Sequence, residues 1–122
     1  MGRKRRGKAI HGWIIIDKPG GLSSNAVVGR VRRLTGATKV GHAGTLDPMA
    51  TGVLPMALGE ATKIVSRLMD GAKAYRFTVR WGEQRNTDDA EGEVVATSDA
   101  RPAKEQILAV LENFIGDIEQ VP

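Results

Sequence analysis

Gly41-His42-Ala43-Gly44-Thr45-Leu46-Asp47-Pro48-Met49-Ala50-Thr51-Gly52 sets one carboxylate between glycine-rich turns and a proline. Pro48 steers Asp47 out of the helical region of backbone space, so the acid belongs to an extended or turn residue and can be presented to another molecule. Gly41, Gly44 and Gly52 admit positive φ and close backbone approach, while His42 and Thr45 bring a planar ring and a hydroxyl near the acid. The plain alternative is a simple Asp-Pro turn between two apolar segments. Familiar chemistries fail on spacing. There is no Gly-Lys-Ser/Thr ending for a phosphate-cradling loop and no Gly-x-Ser-x-Gly elbow, and His42 with Asp47 offers too few ligands for a metal.

Upstream, Trp13-Ile14-Ile15-Ile16 reads as a buried strand that runs into the turn Lys18-Pro19-Gly20-Gly21. Ser23, Ser24 and Asn25 offer N-caps, and Val27, Val28, Val31 and Leu34 share one face of a helix that stops at Gly36. Arg30, Arg32 and Arg33 line much of its other surface, and Lys39 follows. These cations are either an ordinary solvated face or a surface that holds phosphates while the loop handles a base.

Downstream, Val53 to Leu58 is apolar enough for a core strand, with Pro55 confining it to an edge or irregular position. Glu60 to Met69 reads as a short helix with Ala61, Ile64, Val65 and Leu68 inward, closed by Asp70-Gly71. In Lys73 to Trp81 the large residues Tyr75, Phe77, Val79 and Trp81 alternate with Arg76, Thr78 and Arg80, the period of a half-buried strand. Gly82 to Gly92 is a polar loop, Glu93 to Ala96 its returning strand, and Asp89 a turn-fixing carboxylate. Pro102 opens a helix that puts Ile107, Leu108, Leu111, Phe114 and Ile115 on one face and stops at Gly116.

The run Gly-His-Ala-Gly-Thr-Leu-Asp-Pro-Met-Ala-Thr-Gly-Val-Leu-Pro, residues 41–55, resembles the catalytic signature of the TruB family of RNA pseudouridine synthases. Asp17-Lys18-Pro19-Gly20-Gly21-Leu22-Ser23-Ser24 is similar to that family's Asp-Lys-Pro-x-Gly-x-Ser/Thr-Ser block, and Gly59-Glu60-Ala61-Thr62-Lys63 to the helix start that follows the catalytic loop. The similarity runs from about Gly12 to the last residue. It implies an α+β (α/β) fold, a mixed, mainly antiparallel sheet with flanking helices, the N-terminal portion of the pseudouridine synthase catalytic fold. It implies that Asp47 is the nucleophile acting on a uridine flipped out of the T loop of tRNA, which is isomerised to pseudouridine. Tyr75, within a Lys-x-Tyr block, would stack on that base. His42, Lys18, Arg30, Arg33, Lys39 and Thr45 complete the expected RNA contacts.

The isomerisation involves no redox change and no phosphoryl transfer, so neither a cofactor nor a metal is expected. Whether the aspartate attacks the sugar or the base stays open. Arg85 stands where the family commonly has a threonine, while Thr87, Asp89 and Gly92 agree with its pattern. A non-catalytic RNA-binding or RNA-remodelling module is the rival from another class. The guide-RNA-dependent archaeal and eukaryotic branch is the nearer one, although Met49 to Pro55 looks more like the stand-alone bacterial type.

The chain has 122 residues, no cysteine and a formal charge of +4. No apolar run is long enough to span a membrane, and disulfides and thiolate chemistry are excluded, which fits a cytoplasmic protein. Arg3, Lys4, Arg5, Arg6 and Lys8 carry the basicity, since the rest holds 13 cations against 14 anions. Residues 1–10 are expected to form a basic flexible arm, either merely solvated or touching phosphates. Residues 11–122 are expected to be the N-terminal part of the catalytic domain, acting on the tRNA T-arm loop as a monomer with no protein partner. Complete members of the family continue past the equivalent of Pro122 into a Ser-Ala-x-Lys motif and supply a basic partner for the aspartate from that half. Little or no activity is expected of this chain alone.

Overall fold

The computed structural model describes residues 7–121, and the chain falls into two compact units, Met1–Ala74 and Tyr75–Pro122. The first holds β1 (Gly12–Lys18), α1 (Ser24–Thr35), β2 (Val40–His42), β3 (Gly52–Leu58), a 3-10 segment (Gly59–Ile64) and the short α2 (Val65–Met69). The second holds β4 (Glu83–Arg85), β5 (Val94–Thr97), α3 (Lys104–Leu111) and a 3-10 turn (Glu112–Phe114). Helices with antiparallel sheets make up the expected mixed α+β class.

β3 is the middle strand of the first sheet, antiparallel to β1 on one side and to β2 on the other. Its alternate residues Leu54, Met56 and Leu58 are buried with Val40 against Val27 and Val31 of α1, and the half-buried Ile14 and Ile16 of β1 pack on this cluster. Both ends of α1 follow from the sequence: Ser23 Oγ accepts from the Ala26 amide, and Gly36 adopts the left-handed conformation that ends the helix. Leu34 departs from the expected face and is exposed, because no described residue of this unit covers that side of the last turn.

Pro55 sits inside the central strand, where its missing donor is ordinarily excluded. The short β2 resolves the conflict. It opposes only Met56 to Leu58, so the Pro55 nitrogen looks past the end of β2 while the Pro55 carbonyl accepts from Ala43. After β3 the chain turns at Gly59, whose φ is +58. A Cβ there would run into His11 Nδ1 and the Ile10 carbonyl, and His11 Nδ1 accepts from the Glu60 amide at 2.9 Å. The helix expected over Glu60 to Met69 begins as the 3-10 segment, whose three-residue turn breaks the single-face spacing. Ile64 and Leu68 accordingly lie exposed.

Residues 8–10 are part of this unit, which corrects the boundary of the expected arm: Lys8 bridges to Ala37 and Ile10 packs on the core. Residues 1–6, with the remaining arm cations, lie outside the described residues.

Two clamps join the β1–α1 corner to the loop between β2 and β3. Lys18 is fully buried at the end of β1, opposite Gly52, and its Nζ donates to the carbonyls of Pro19 (2.9 Å), Leu22 (2.7 Å) and Pro48 (3.1 Å). Three acceptors match the three protons of an ammonium group. The Gly21 amide adds a second bond to the Pro48 carbonyl at 2.7 Å. Buried Ser24 forms the other clamp: its Oγ donates to the Leu46 carbonyl and accepts from the Leu46 amide, each at 3.0 Å.

The strand expected over Lys73 to Trp81 is absent, and its large side chains, all in the second unit, stand in solvent, Phe77 at 80% exposure. Alternation prescribes which face is to be covered, but a strand also needs a neighbour for its backbone, and among the described residues this segment has none. β5 falls where a returning strand was expected and pairs with β4, within the predicted loop, through a bulge between Gln84 and Arg85. That loop is closed by its own side chains. Arg85 donates to the Ala90 and Gly92 carbonyls and to Glu83, Thr87 and the Glu91 amide donate to Asp89, and the Glu93 amide donates to Asn86. The arginine in place of the common threonine is thus a loop clasp. α3 ends at Leu111 rather than nearer Gly116, continues as a 3-10 turn, and leaves Leu108, Leu111, Phe114 and Ile115 exposed.

Lys18→Met keeps an apolar stem but strips the Pro19, Leu22 and Pro48 carbonyls of a donor, and a buried carbonyl without a partner costs about 1–3 kcal/mol. The urea midpoint of the first unit is expected to fall by the equivalent of at least about 2 kcal/mol, and an unchanged midpoint would contradict the clamp. Gly59→Ala places a side chain at positive φ against His11 and Ile10, a backbone conformation that costs about 1–3 kcal/mol for a residue with a Cβ. It is expected to lower the same midpoint, whereas wild-type stability would show that this corner relaxes freely.

Candidate functional site

The loop from Ala43 to Thr51 leaves β2 and returns at Gly52, next to the end of β1. Within it Asp47 to Ala50 forms a turn, closed by a 3.0 Å bond from the Ala50 amide to the Asp47 carbonyl, with Pro48 at the position its fixed φ favours. Leu46, before the acid, is held at both its amide and its carbonyl by Ser24, and Pro48, after it, is held by Lys18 and Gly21. Asp47 itself is exposed, and among the described residues its carboxylate joins no hydrogen bond or ion pair. The backbone is fixed on both sides of a side chain that is left free. Such an arrangement orients a nucleophile or a base without using up its lone pairs.

His42 ends β2 opposite Met56. Its Nδ1 is buried without a hydrogen-bond partner among the described residues, an uncommon condition for a polar atom, so that nitrogen is not the anchor of a local turn. Thr45 is exposed on the loop, as are Arg30 and Arg33 on α1 and Lys39 just before β2. Lys18 is the correction. An ammonium group with no exposed surface and three carbonyl acceptors does not reach RNA; it builds the loop instead. Ser24 is the contributor that sequence reasoning passed over, having counted it only as a possible cap. The signal was the Ser23-Ser24 doublet, since one serine suffices for capping.

Tyr75 opens the second unit as an exposed aromatic residue, 67% accessible. Asp89 behaves as a turn carboxylate: the Thr87 hydroxyl, then the Glu91 amide, hold its pKa below the usual aspartate value. The other lowered carboxyls are also explained locally, Glu60 by hydrogen bonding to Lys63 and Glu83 by hydrogen bonding to Arg85. Among the described residues no cluster of three or more potential metal ligands is found.

A family model described as TruB family pseudouridylate synthase (N terminal domain) matches residues 32–122. Proteins named tRNA pseudouridine synthase B from Rhodospirillum rubrum and Dinoroseobacter shibae are 62% and 65% identical over 122 residues, which is all of this chain and 40% of each relative. The protein of that name from Caulobacter vibrioides is 57% identical over the same span, 39% of its length. The chain therefore spans about two fifths of the length of these relatives. A solved chain from an H/ACA RNP bound to a substrate RNA containing 2'-deoxyuridine is 34% identical, covering 56% of this chain and 25% of its own, with a TM-score of 0.45. With its Asp47 loop inside the span of the family model, and its full length matched by these relatives, the chain belongs to the TruB family of pseudouridylate synthases.

Proposed function

We propose that this chain forms the N-terminal part of the catalytic domain of an enzyme that converts uridine to pseudouridine in the T loop of tRNA. The exposed carboxylate of Asp47, unpaired among the described residues and set between two clamped neighbours, carries the reading. The activity is proposed for a protein of the relatives' length. Asp47 serves as the nucleophile while the N1–C1′ bond breaks and, after the uracil has turned within the pocket, C5 is joined to C1′. Electrons and protons balance within the nucleoside, so neither cofactor nor metal enters.

Reaching that bond requires extruding the nucleotide, at a cost of a few kcal/mol that is smallest in an already strained loop. Tyr75, with its exposed ring, replaces the lost stacking, and His42 with Thr45 contacts the RNA at the edge of the acid's loop. Arg30, Arg33 and Lys39 meet phosphates. A carboxylate that closes on an uncharged base loses water, which disfavours its charged form, and a cation close by offsets this. By family resemblance that cation comes from the later half of the domain. The setting is proposed to be the cytoplasm and the enzyme a monomer; among the described residues no helix is long and apolar enough to cross a membrane.

In a full-length protein carrying this region, Asp47→Asn is expected to abolish tritium release from uracil-5-tritiated tRNA while RNA binding survives; turnover in that variant would remove Asp47 from the nucleophile role. Base–aromatic stacking is worth about 1–3 kcal/mol, so Tyr75→Leu is expected to lower turnover at least roughly fivefold. Wild-type rates in that variant would exclude the stacking role.

A further inference from the structure

Around Arg33, at the C-terminal end of α1, lie Lys8 and Arg32, two cations to which the reading above gives no role. A shallow, open depression of about 530 Å³ there is lined by Gly7, Arg32, Arg33, Gly36, Ala37 and Thr38, with no acidic side chain among them. Lys8 is fixed beside it through its backbone: its amide donates to the Gly36 carbonyl at 2.7 Å, and its own carbonyl accepts from the amide and the hydroxyl of Thr38, each at 3.0 Å. The Lys8 stem lies along Gly36, where Cγ, Cδ and Cε would stand 3.7–3.8 Å from an added Cβ. The Arg32 guanidinium is tethered to the Val40 carbonyl at 3.4 Å, and Arg33 is exposed in the same turn. Among the described residues none of the three joins an ion pair.

Cations in a last helical turn are commonly explained by the helix dipole. That dipole amounts to about half a negative charge, whereas Lys8, Arg32 and Arg33 bring three positive ones, so most of the charge remains uncompensated. The twelve residues of α1 span about 18 Å, and the first of them, Ser24, is clamped to Leu46 beside Asp47. The corner is therefore too distant to touch the target nucleotide and close enough to meet the same RNA several nucleotides away.

The geometry points to a second docking point, in which Lys8, Arg32 and Arg33 bind backbone phosphates of the RNA stem and leave the loop nucleotides to the Asp47 side. This rests on the reading of the ligand as RNA. Contacts of this kind position an RNA without reading its sequence. Inorganic phosphate offers the same chemistry, but a single small ion gains little from a shallow corner, whereas a polyanion releases counterions at every contact.

The test uses the 122-residue chain and a fluorescent RNA duplex without a loop, followed by anisotropy across a potassium chloride series. Because such a duplex is not a substrate, the result is independent of any turnover measurement on Asp47. Lys8→Gln/Arg33→Gln is expected to make the slope of log K against log salt shallower by about 2, roughly one for each cation removed. A chain lacking residues 1–6 is expected to show the same change on introducing the pair. Millimolar inorganic phosphate is expected not to displace the duplex beyond its effect as a salt. The proposal is overturned if the slope is unaltered, if the duplex does not bind, or if inorganic phosphate displaces it specifically. It is equally overturned if Arg67→Gln/Lys104→Gln, remote from the corner in sequence, flattens the slope as much.

Discussion

One buried ammonium group holds the candidate active site together. Lys18 ends β1 facing inward and gives its protons to three main-chain carbonyls, those of Pro19 and Leu22 in its own turn and that of Pro48 in the Asp47 loop. A charge removed from water is costly unless strong acceptors replace its hydration, and three carbonyl dipoles do so without a carboxylate. That choice matters for the acid next door. A buried carboxylate partner would have added a second negative charge near Asp47, whereas carbonyls tie the loop down and leave Asp47 as its only anionic side chain.

The sheet and α1 both serve this junction. The β1–β3 pairing brings Lys18 opposite Gly52, where the loop returns to the sheet. α1, packed on the sheet through Val27 and Val31, delivers Ser24 to Leu46 from its first turn. The Asp-Lys-Pro block and the Asp47 loop, separated by more than twenty residues in the chain, are thus two halves of one structure. A residue held by its neighbours rather than by its own side chain keeps its reactive atoms free, and this is the form of preorganisation that catalysis on a flipped base calls for.

The sequence disclosed what local rules govern. Ser23 and Gly36 bounded α1, the isoleucines of β1 marked a strand, and Asp-Pro marked a turn that exposes the acid. Long-range pairing stayed hidden. Nothing local distinguishes a lysine that reaches RNA from one that reaches Pro48, thirty residues away, and a basic side chain beside a suspected RNA site was naturally read as a contact. Pro55 in a central strand was illegible for the same reason, since the rule against it yields only where the neighbouring strand stops short. In Tyr75 to Trp81 the alternation of side chains was clear, yet periodicity specifies a face and leaves the backbone's partner unspecified. The helix after β3 failed because a 3-10 turn changes the angular spacing on which the single-face argument depended.

The most direct test of the account is amide hydrogen exchange, by NMR, at Gly21 and Leu46, the two amides that the clamps on either side of Asp47 engage. Both are predicted to be protected to the same degree as the interior amides of β1 and β3, so that the loop opens only when the sheet does. Exchange at both sites near the rate of an unstructured chain, with the sheet still protected, would contradict the claim that this loop is built to hold Asp47 in place.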